Sequence, residues 1–386
     1  MKIGIVSDLH IGYERFREDA RLQAKKALDM AVEKCDAILI PGDIFDYRIP
    51  TPDVIVECMN VFMSLDVNKL KAKAKVIKGN PAKTEAPIIA ISGTHERRSE
   101  KDQNPLDILS VSGILIDSSN SVVEIRKDNE IVYVHGIKGV SEERFLEEIK
   151  RVSPKPLEGH VNILMFHQSL YELLPYSSEY AKIEDLPEGF DLYIDGHIHH
   201  RCEMKAHGKP LLIPGSTVIT QLKEQEQESK GFYIYDTKEK SYEYHYIDSR
   251  KFFYIKEEYR EGLKEYLRKR IVEAIESSRE KPIISIDVSG TSNLKLDYLL
   301  EDIKNEFKDK AIIFSRKEII EKEKSRERAK NIESAKELAE SILAENIKKK
   351  DIKRDDIKKI FDEISNSKLE HEEIVKIIEQ LLSKLE

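Results

Sequence analysis

The segment KIGIVSDLHIG, residues 2–12, joins an apolar, β-branched run directly to an acid and a histidine two positions apart. A short apolar run that ends in a polar turn predicts a buried strand over residues 2–7. In an extended chain the side chains at positions i and i+2 point to the same side. Asp8 and His10 can therefore reach one site at the end of this strand.

Four further apolar runs end in the same kinds of polar residue, usually beside a glycine. The runs at 37–41, 87–91, 161–166 and 191–195 lead into Asp43, Thr94-His95, His167 and His197-x-His199. In open α/β sheets, ligands bind outside the carboxyl ends of the strands. We therefore expect one edge of one sheet to carry at least six candidate metal ligands.

Taken alone, an Asp-x-His pair or a histidine after a strand is more often a cap or a surface residue. We interpret four further histidines as surface residues of this kind: His135, His160, His207 and His245. The coincidence at five strand ends favours a metal site. Histidine and carboxylate ligands without thiolates suit Mn, Zn, Fe or Ni. Six or seven ligands are too many for one ion, so a shared carboxylate between two ions is expected, as in phosphatases and nucleases.

Strands and helices alternate through the first half of the chain, which predicts a layered α/β domain with mixed sheets. Helices are predicted at 16–34 and 53–65, and antiparallel strands near 231–247. The lysine-rich residues 68–86 are expected to form an exposed insertion that is poor in strands.

Three segments are predicted along the chain. Residues 1–248 carry the candidate ligands, and residues 249–315 have a βαβαβ pattern that could fold as a small domain. In residues 316–386 half of the side chains are charged. Narrow apolar stripes there predict short helices that either pack on each other or dock on a partner.

The 386-residue chain has 64 Lys and Arg against 72 Asp and Glu, a net charge of −8, and a hydrophobic fraction of 40%. That apolar content excludes wholesale disorder. No run is long enough to span a membrane, and residues 1–10 lack the apolar core of a signal peptide. The scattered cysteines Cys35, Cys58 and Cys202 indicate a reducing cytoplasm. High Lys and Glu content is typical of heat-adapted proteins.

The quoted motifs resemble those of a known family. Asp8-x-His10, Gly42-Asp43, Gly93-Thr94-His95-Glu96, His167 and Gly196-His197-x-His199 resemble the five motifs of the calcineurin-like metallophosphoesterases, and Pro214-Gly215-Ser216 resembles the turn after the last one. Residues 42–52 (GDIFDYRIPTP) and the later segments resemble the break-repair nuclease branch, called SbcD in bacteria and meiotic recombination eleven in eukaryotes and archaea.

The resemblance implies an α/β fold, a four-layer α+β sandwich of two mixed sheets flanked by helices. It adds a small α/β capping domain near 250–315, expected to bind DNA, and a C-terminal helical segment. It also implies an archaeal source and a manganese-dependent DNA exonuclease or endonuclease that acts in double-strand-break repair.

Residue roles follow from the resemblance, position by position. Asp8, His10 and His199 would hold the first of two Mn²⁺ ions. Asp43 would bridge, and His167 and His197 would hold the second. His95 resembles the histidine that contacts the scissile phosphate and can protonate the leaving oxygen.

Two positions depart from the family pattern. Thr94 stands where the family usually has an asparagine whose amide oxygen binds the second metal. A threonine hydroxyl is shorter and a poorer ligand, so we expect a weakened second site. Asp46 stands where some members have a histidine linked to exonuclease action, which leaves the exonuclease assignment open.

Basic and aromatic residues flank the motifs and are predicted to contact DNA phosphates without sequence specificity. They are Tyr13, Arg15, Arg17, Arg48, Arg97 and Arg98. The net acidity excludes a chain coated all over with DNA-binding charge, but not a local basic groove.

Partners are also implied by the resemblance. A Rad-fifty-type ATPase is expected to bind near residues 330–386. A second copy of the chain is expected to pack on helices near 53–65 and 104–112, with Val54, Met59 and Phe62 facing outward and Leu106, Ile108 and Leu109 adding to the interface. Core packing is an equal alternative for each of these residues.

Two other functions remain open from the sequence. The same fold could serve as a small-molecule or protein phosphoesterase, although this does not explain residues 316–386. It could also be an inactive scaffold, although such a scaffold would be expected to have lost more ligands than the asparagine alone.

Overall fold

The computed structural model describes residues 1–97, 103–173, 180–290 and 294–319. Arg98 and the segment predicted to dock the ATPase lie outside the described residues. Met1–Ser289 and Leu294–Glu318 form one compact unit.

Three sheets organise this unit. The strands are β1 (Lys2–Ile5), β2 (Ala37–Ile40), β3 (Lys73–Lys78), β4 (Ile88–Ala90), β5 (Ile116–Asp117), β6 (Val122–Lys127), β7 (Glu130–Gly136), β8 (Val161–Phe166), β9 (Leu192–Asp195), β10 (Cys202–Ala206), β11 (Lys209–Ile213), β12 (Gly231–Asp236), β13 (Ser241–Tyr246), β14 (Phe252–Glu258), β15 (Ile283–Gly290) and β16 (Ile312–Ile319). The helices are α1 (Arg17–Lys34), α2 (Pro52–Met63), α3 (Pro105–Val111), α4 (Phe145–Val152), α5 (Leu263–Glu276) and α6 (Leu294–Phe307).

The first sheet has the order β13-β12-β1-β2-β4-β5, and the second has the order β10-β11-β9-β8-β7-β6-β3. In the first sheet β1, β2, β4 and β5 run parallel, and β12 joins β1 antiparallel. In the second sheet β7, β8, β9 and β11 run parallel. Both sheets are mixed, as the sequence predicts.

The two sheets pack face to face between two layers of helices. Leu39 and Ile89 point into the cluster between the sheets, whereas Ile38 and Ile40 point into a second cluster beneath α1, α2 and α3. A third cluster packs α4 and neighbouring loops on the outer face of the second sheet. Strands buried on both faces read as continuous apolar runs, which explains why they were predictable. The four-layer α/β sandwich is confirmed.

The prediction that residues 68–86 are poor in strands was wrong, because β3 lies within them, although most of their side chains are exposed as expected. In its sequence KAKVIK, Ala74 is buried and Val76 packs partly on the core, while Lys73 and Lys75 are exposed. β3 forms the edge of the second sheet. Lysines on the outer side of an edge strand discourage pairing with another chain, so a lysine-rich segment can still be a strand.

Residues 252–319 form the third sheet, in the order β14-β15-β16, with α5 and α6 packed on it. The element order matches the βαβαβ pattern predicted for this segment, and its role as a capping domain stays a prediction. Arg250 donates to the Asp19 carboxylate of α1 at 2.5 and 2.8 Å. Among the described residues no helix is long and apolar enough to cross a bilayer.

Candidate metal centre

Five strand ends bring the predicted ligands together, but from both sheets. Asp8, Asp43 and Thr94 follow β1, β2 and β4 of the first sheet. His167 and His197 follow β8 and β9 of the second. The expectation that one sheet carries all the ligands was therefore wrong. The carboxyl ends of both sets of parallel strands meet at the same end of the sandwich.

The first group consists of Asp8, His10 and His199, whose ligand atoms lie within 4.8 Å of one another. The Nε2 atoms of His10 and His199 are 3.2 Å apart. The Asp8 Oδ1 atom is 3.9 Å from the His10 Nε2 atom and 3.8 Å from the His199 Nε2 atom. Asp8 and His10 are buried, and the His199 side chain is 13% exposed.

The second group consists of Asp43, His167 and His197, again within 4.8 Å. The His167 Nε2 atom lies 3.1 Å from the Asp43 Oδ2 atom. The Thr94 hydroxyl is 3.5 Å from each of these two atoms and 3.2 Å from the His197 Nδ1 atom. Thr94 therefore sits among the ligands of this group, although its hydroxyl is at the long end of hydrogen-bond distance from two of them.

Hydrogen bonds fix which nitrogen of each ring faces the site. The His167 Nδ1–H donates to the Pro41 carbonyl at 2.7 Å, since a carbonyl can only accept. The His10 Nδ1–H donates to the Asp46 carboxylate at 3.0 Å. Both rings therefore point their Nε2 atoms toward the site. Partners of this kind set the tautomer of a metal-binding histidine.

The backbone at the site is strained. Asp8, His10, Asp43 and His197 have φ values of 50°, 46°, 50° and 70°, a region that non-glycine residues seldom adopt. Such strain persists only where surrounding structure enforces it, and it concentrates at functional sites. Gly93 makes room for the cluster, because a Cβ there would lie 2.1 Å from the Asp43 Oδ1 atom.

The electrostatics of the second group are dominated by one buried pair. Burial opposes ionisation of Asp43, yet the His167 imidazole holds the pKa of this carboxyl well below its usual range. Burial likewise disfavours the charged His167 ring, but the Asp43 carboxylate outweighs it and raises the pKa to about 10. Burial, with the charge on His167, lowers the pKa of His197 to about 3.

The donor set fits divalent cations. Two imidazole Nε2 lone pairs that face each other at 3.2 Å repel unless a cation or a proton lies between them. Burial also holds the pKa of His199 well below its usual value, so this ring is neutral and free to donate a lone pair. Buried carboxylates beside neutral imidazoles are ligands that Mn, Zn and Fe accept.

His95 lies beside both groups at the open side of the site. Its Nδ1–H donates to the Asp46 carbonyl at 2.7 Å, and its backbone N–H donates to the Asp43 Oδ1 atom at 2.9 Å. The side chain is 42% exposed, in contrast to the buried ligands. Its Nε2 atom is therefore the nitrogen left for contact with a substrate.

The match to known proteins agrees with these motifs. Residues 1–201 match the family model described as calcineurin-like phosphoesterase. The chain belongs to this family. The resemblance found in the five motifs is thereby confirmed at the level of the family, and every motif lies inside or at the edge of the matched residues.

Curated relatives of this calcineurin-like phosphoesterase include three named DNA double-strand break repair protein Mre11. The chain is 28% identical to the protein from Methanopyrus kandleri over 56% of this chain and 48% of the relative. It is 24% identical to the Sulfolobus acidocaldarius protein over 78% of each chain. It is 30% identical to the Thermoplasma acidophilum protein over 58% of this chain and 57% of the relative. The match to the first relative thus spans about half of that protein's length.

The basic residues predicted to contact DNA have different surroundings in this phosphoesterase. Arg17 is held by Asp53 and by Glu57, the latter at 2.9 Å, so its charge is already balanced. The Arg15 guanidinium lies over the Phe314 ring, 5.5 Å from its centre.

Three more predicted contacts lie near the site. The Tyr13 hydroxyl donates to the Thr220 carbonyl at 2.7 Å. Arg48 and Arg97 line an open cleft of about 670 Å³ over His95 and His197. These two arginines thus share the cleft with His95 and His197.

Several residues that organise the site were missed from the sequence. Glu96 is fully buried and accepts the N–H groups of Phe45 and Gly93 at 2.9 and 3.0 Å, which ties the two ligand loops together. Burial, with the nearby Asp43 charge, raises the pKa of Glu96 to about 7. The adjacent histidine motif is the signal that could have assigned this role. Glu226 and Lys230, which bind the backbone of Thr220 and of His199, carry no such signal.

Proposed function

We propose that this chain is a manganese-dependent DNA nuclease that hydrolyses phosphodiester bonds in double-strand-break repair. The observation that carries the proposal is the convergence of six His and Asp side chains from four strand ends on one site, beside Thr94 and His95 from a fifth. The family match supports a hydrolase of phosphate esters. The names of the curated relatives support DNA as the substrate.

Two Mn²⁺ ions would be held by the two groups. Asp8, His10 and His199 would hold one, and His167 and His197 the other. Asp43 would be a ligand of both ions, because its carboxylate lies close enough to His10 to share one ion and close enough to His167 to share the other. Bound there, the ions would polarise a phosphoryl oxygen and lower the pKa of a water molecule.

His95 is proposed as the general acid. Its Nδ1–H is committed to the Asp46 carbonyl, so a proton on Nε2 can pass to the oxygen that leaves phosphorus. A histidine suits this task because its pKa lies near neutrality in water.

Arg48 and Arg97 are proposed to bind backbone phosphates beside the scissile one, since they line the cleft over His95. Such contacts hold DNA without reading its sequence. Binding should therefore weaken steeply as the salt concentration rises.

A second copy of the chain is proposed to bind at α2 and α3. Val54 and Phe62 are buried in the core and Met59 packs partly on it, so these residues follow the alternative of core packing and do not face outward. Leu106 and Leu109 are buried as well. Exposed apolar residues remain on the same two helices: Val56 at 55%, Met63 at 69%, Ile108 at 36% and Val111 at 61%. If these side chains form one contiguous apolar patch, that patch would be the site where the second copy binds.

The remaining proposals rest on the family resemblance. A Rad-fifty-type ATPase would dock near residues 330–386, and the protein would act in the cytoplasm, at the nucleoid. Exonuclease and endonuclease action both remain compatible with the site.

One assay separates the proposal from its competitors. Supercoiled plasmid and end-labelled duplex DNA are incubated with the full chain and Mn²⁺, Mg²⁺ or EDTA, beside a chromogenic phosphodiester. Cleavage of DNA with Mn²⁺ and not with EDTA supports the nuclease. Cleavage of the small ester alone would support a small-molecule phosphoesterase. A folded protein that cleaves neither would be a scaffold.

A further inference from the structure

A buried ion pair lies behind His199, outside the two ligand groups. The carboxylate of Glu226 and the ammonium of Lys230 are 2.8 Å apart, and their side chains are 3% and 6% exposed. Burying two charges costs several kcal/mol per ion unless further hydrogen bonds satisfy them. The other hydrogen bonds of Glu226 and Lys230 therefore show which parts of the site the pair holds in place.

Glu226 binds the loop that follows the last ligand motif. Its Oε2 atom accepts the Thr220 N–H at 3.1 Å, and its Oε1 atom accepts the Gln221 N–H at 2.5 Å. The Thr220 hydroxyl also donates to Oε1, at 3.2 Å. Lys230 donates to the His199 carbonyl at 3.0 Å. The pair thus fixes both the backbone of His199 and the side chain of Thr220.

The direction of these bonds determines the state of the His199 ring. A threonine hydroxyl has one proton, and Thr220 gives it to Glu226. The His199 Nδ1 atom forms a short hydrogen bond with the same hydroxyl oxygen. That oxygen can now only accept, so Nδ1 must carry a proton and Nε2 must carry the lone pair. This Nε2 atom is the one that faces Asp8 and His10.

We propose that Glu226 is a positioning residue for the metal centre, which acts through Thr220 to orient His199 and to hold its Nδ1–H tautomer. The inference rests on the proposed metal site. The Lys230 ammonium lies 2.8 Å from the Glu226 Oε2 atom and holds this carboxylate in place beside Thr220. A purely structural anchor for the loop would need the backbone contacts alone, and it would not depend on the hydroxyl of Thr220.

The test compares Thr220→Val with Thr220→Ser in the full chain. Valine keeps the shape and removes the hydroxyl, whereas serine keeps the hydroxyl. Mn²⁺ affinity is measured by titration calorimetry, and the His199 tautomer of the metal-free protein by long-range ¹H–¹⁵N NMR. We expect Thr220→Val to bind Mn²⁺ about 10–100-fold more weakly, the usual cost of losing such a partner. Thr220→Ser should bind close to wild type and keep the Nδ1–H tautomer.

Glu226→Gln probes the next link, with Glu224→Gln as its control. Glu224 lies in the same turn and is exposed, so its change should leave affinity and tautomer unaltered. Glu226→Gln should weaken Mn²⁺ binding and admit the other tautomer. Should it fail to fold, the Thr220 pair still decides the matter.

Two results would separate failure of this inference from failure of the metal site. Wild-type affinity and an unchanged tautomer in Thr220→Val would overturn the positioning role while leaving the metal site intact. If wild type binds no Mn²⁺, the proposed function fails. In that case the NMR measurement of the His199 tautomer alone tests the positioning role. The role is supported if wild type has the Nδ1–H tautomer and Thr220→Val loses it. Any other result refutes the role.

Discussion

The Nε2 atoms of His10 and His199 face each other at 3.2 Å, although 189 residues separate them in the chain. Each ring has its Nδ1 atom bound on the far side, to Asp46 and to Thr220. The two lone pairs thus converge where only a proton or a cation can relieve their repulsion. A proton or a divalent cation at this point would bridge the two rings.

The first prediction concerns stability. Mn²⁺ at 100 times its dissociation constant should raise the free energy of unfolding by about 2.7 kcal/mol for each site filled. His199→Asn should abolish part of this gain, because the first group loses a ligand. Thermal melting with Mn²⁺ and with EDTA measures both effects.

The matched control for this experiment is His207→Asn. His207 lies on an exposed turn at a φ of 49°, a conformation that asparagine tolerates. This variant should gain as much from Mn²⁺ as wild type does. Equal gains in wild type and His199→Asn would contradict the assignment of His199 as a ligand.

The second prediction concerns His95. His95→Gln should leave Mn²⁺ binding intact and lower cleavage by about 10²–10⁴-fold, the range for loss of a general acid. Calorimetry and the DNA assay measure the two properties. His160→Gln is the control, since His160 is exposed just before β8. Loss of metal in His95→Gln would show that the ring is a ligand instead.

The third prediction concerns Thr94, whose hydroxyl lies 3.2–3.5 Å from three atoms of the second group. Thr94→Asn introduces a longer side chain with a better oxygen donor. The second Mn²⁺ should bind more tightly, and cleavage should reach its maximum at lower Mn²⁺. Stoichiometry and rate against Mn²⁺ concentration test this, and an unchanged profile would mean that Thr94 does not limit the second site.

The fourth prediction concerns pH. Burial disfavours a charged His167, but the Asp43 carboxylate outweighs it and raises the pKa from 6.5 to about 10. Between these values the folded state holds a proton that the unfolded chain has released. The free energy of unfolding of the metal-free protein should therefore fall as the pH rises from 6.5 to 10.

Urea unfolding in EDTA at pH 7 and pH 9 measures this slope, and His167→Gln should flatten it. Excess Mn²⁺ should oppose the trend, because metal binding needs a neutral imidazole and strengthens as the pH rises. The same slope in His167→Gln as in wild type would place its origin elsewhere.

Much of the site could be predicted because its strands are buried on both faces. The runs before Asp8, Asp43 and His167 are continuous and apolar, and each ligand follows directly. β3 was missed because its alternating KAKVIK pattern was read as a charge-rich loop. Helix α5 begins only at Leu263, since Glu257 and Glu258 still belong to β14 and pair with β15.

Two parts of the molecule could not be predicted, for a common reason. Glu226 and Lys230 stand in the polar stretch KEQEQESK, and nothing in it marks two of its charges as buried. Helix α2 is apolar on most of its surface, so its sequence does not tell which side enters the core. Burial of a single residue depends on tertiary packing, which local patterns do not encode.

The last prediction concerns the proposed dimer, whose interface would include the exposed side of α2. Met63→Glu together with Val111→Glu should convert a dimer to a monomer, because a charge in an apolar interface is costly unless paired. Light scattering after size exclusion measures the mass. Val272→Glu is the control: Val272 is 40% exposed on α5, so this variant should keep the wild-type mass. The helical content of all three proteins should match, since these side chains lie outside the core. A monomeric wild type would refute the interface, and a double variant that stays dimeric would place it on another face.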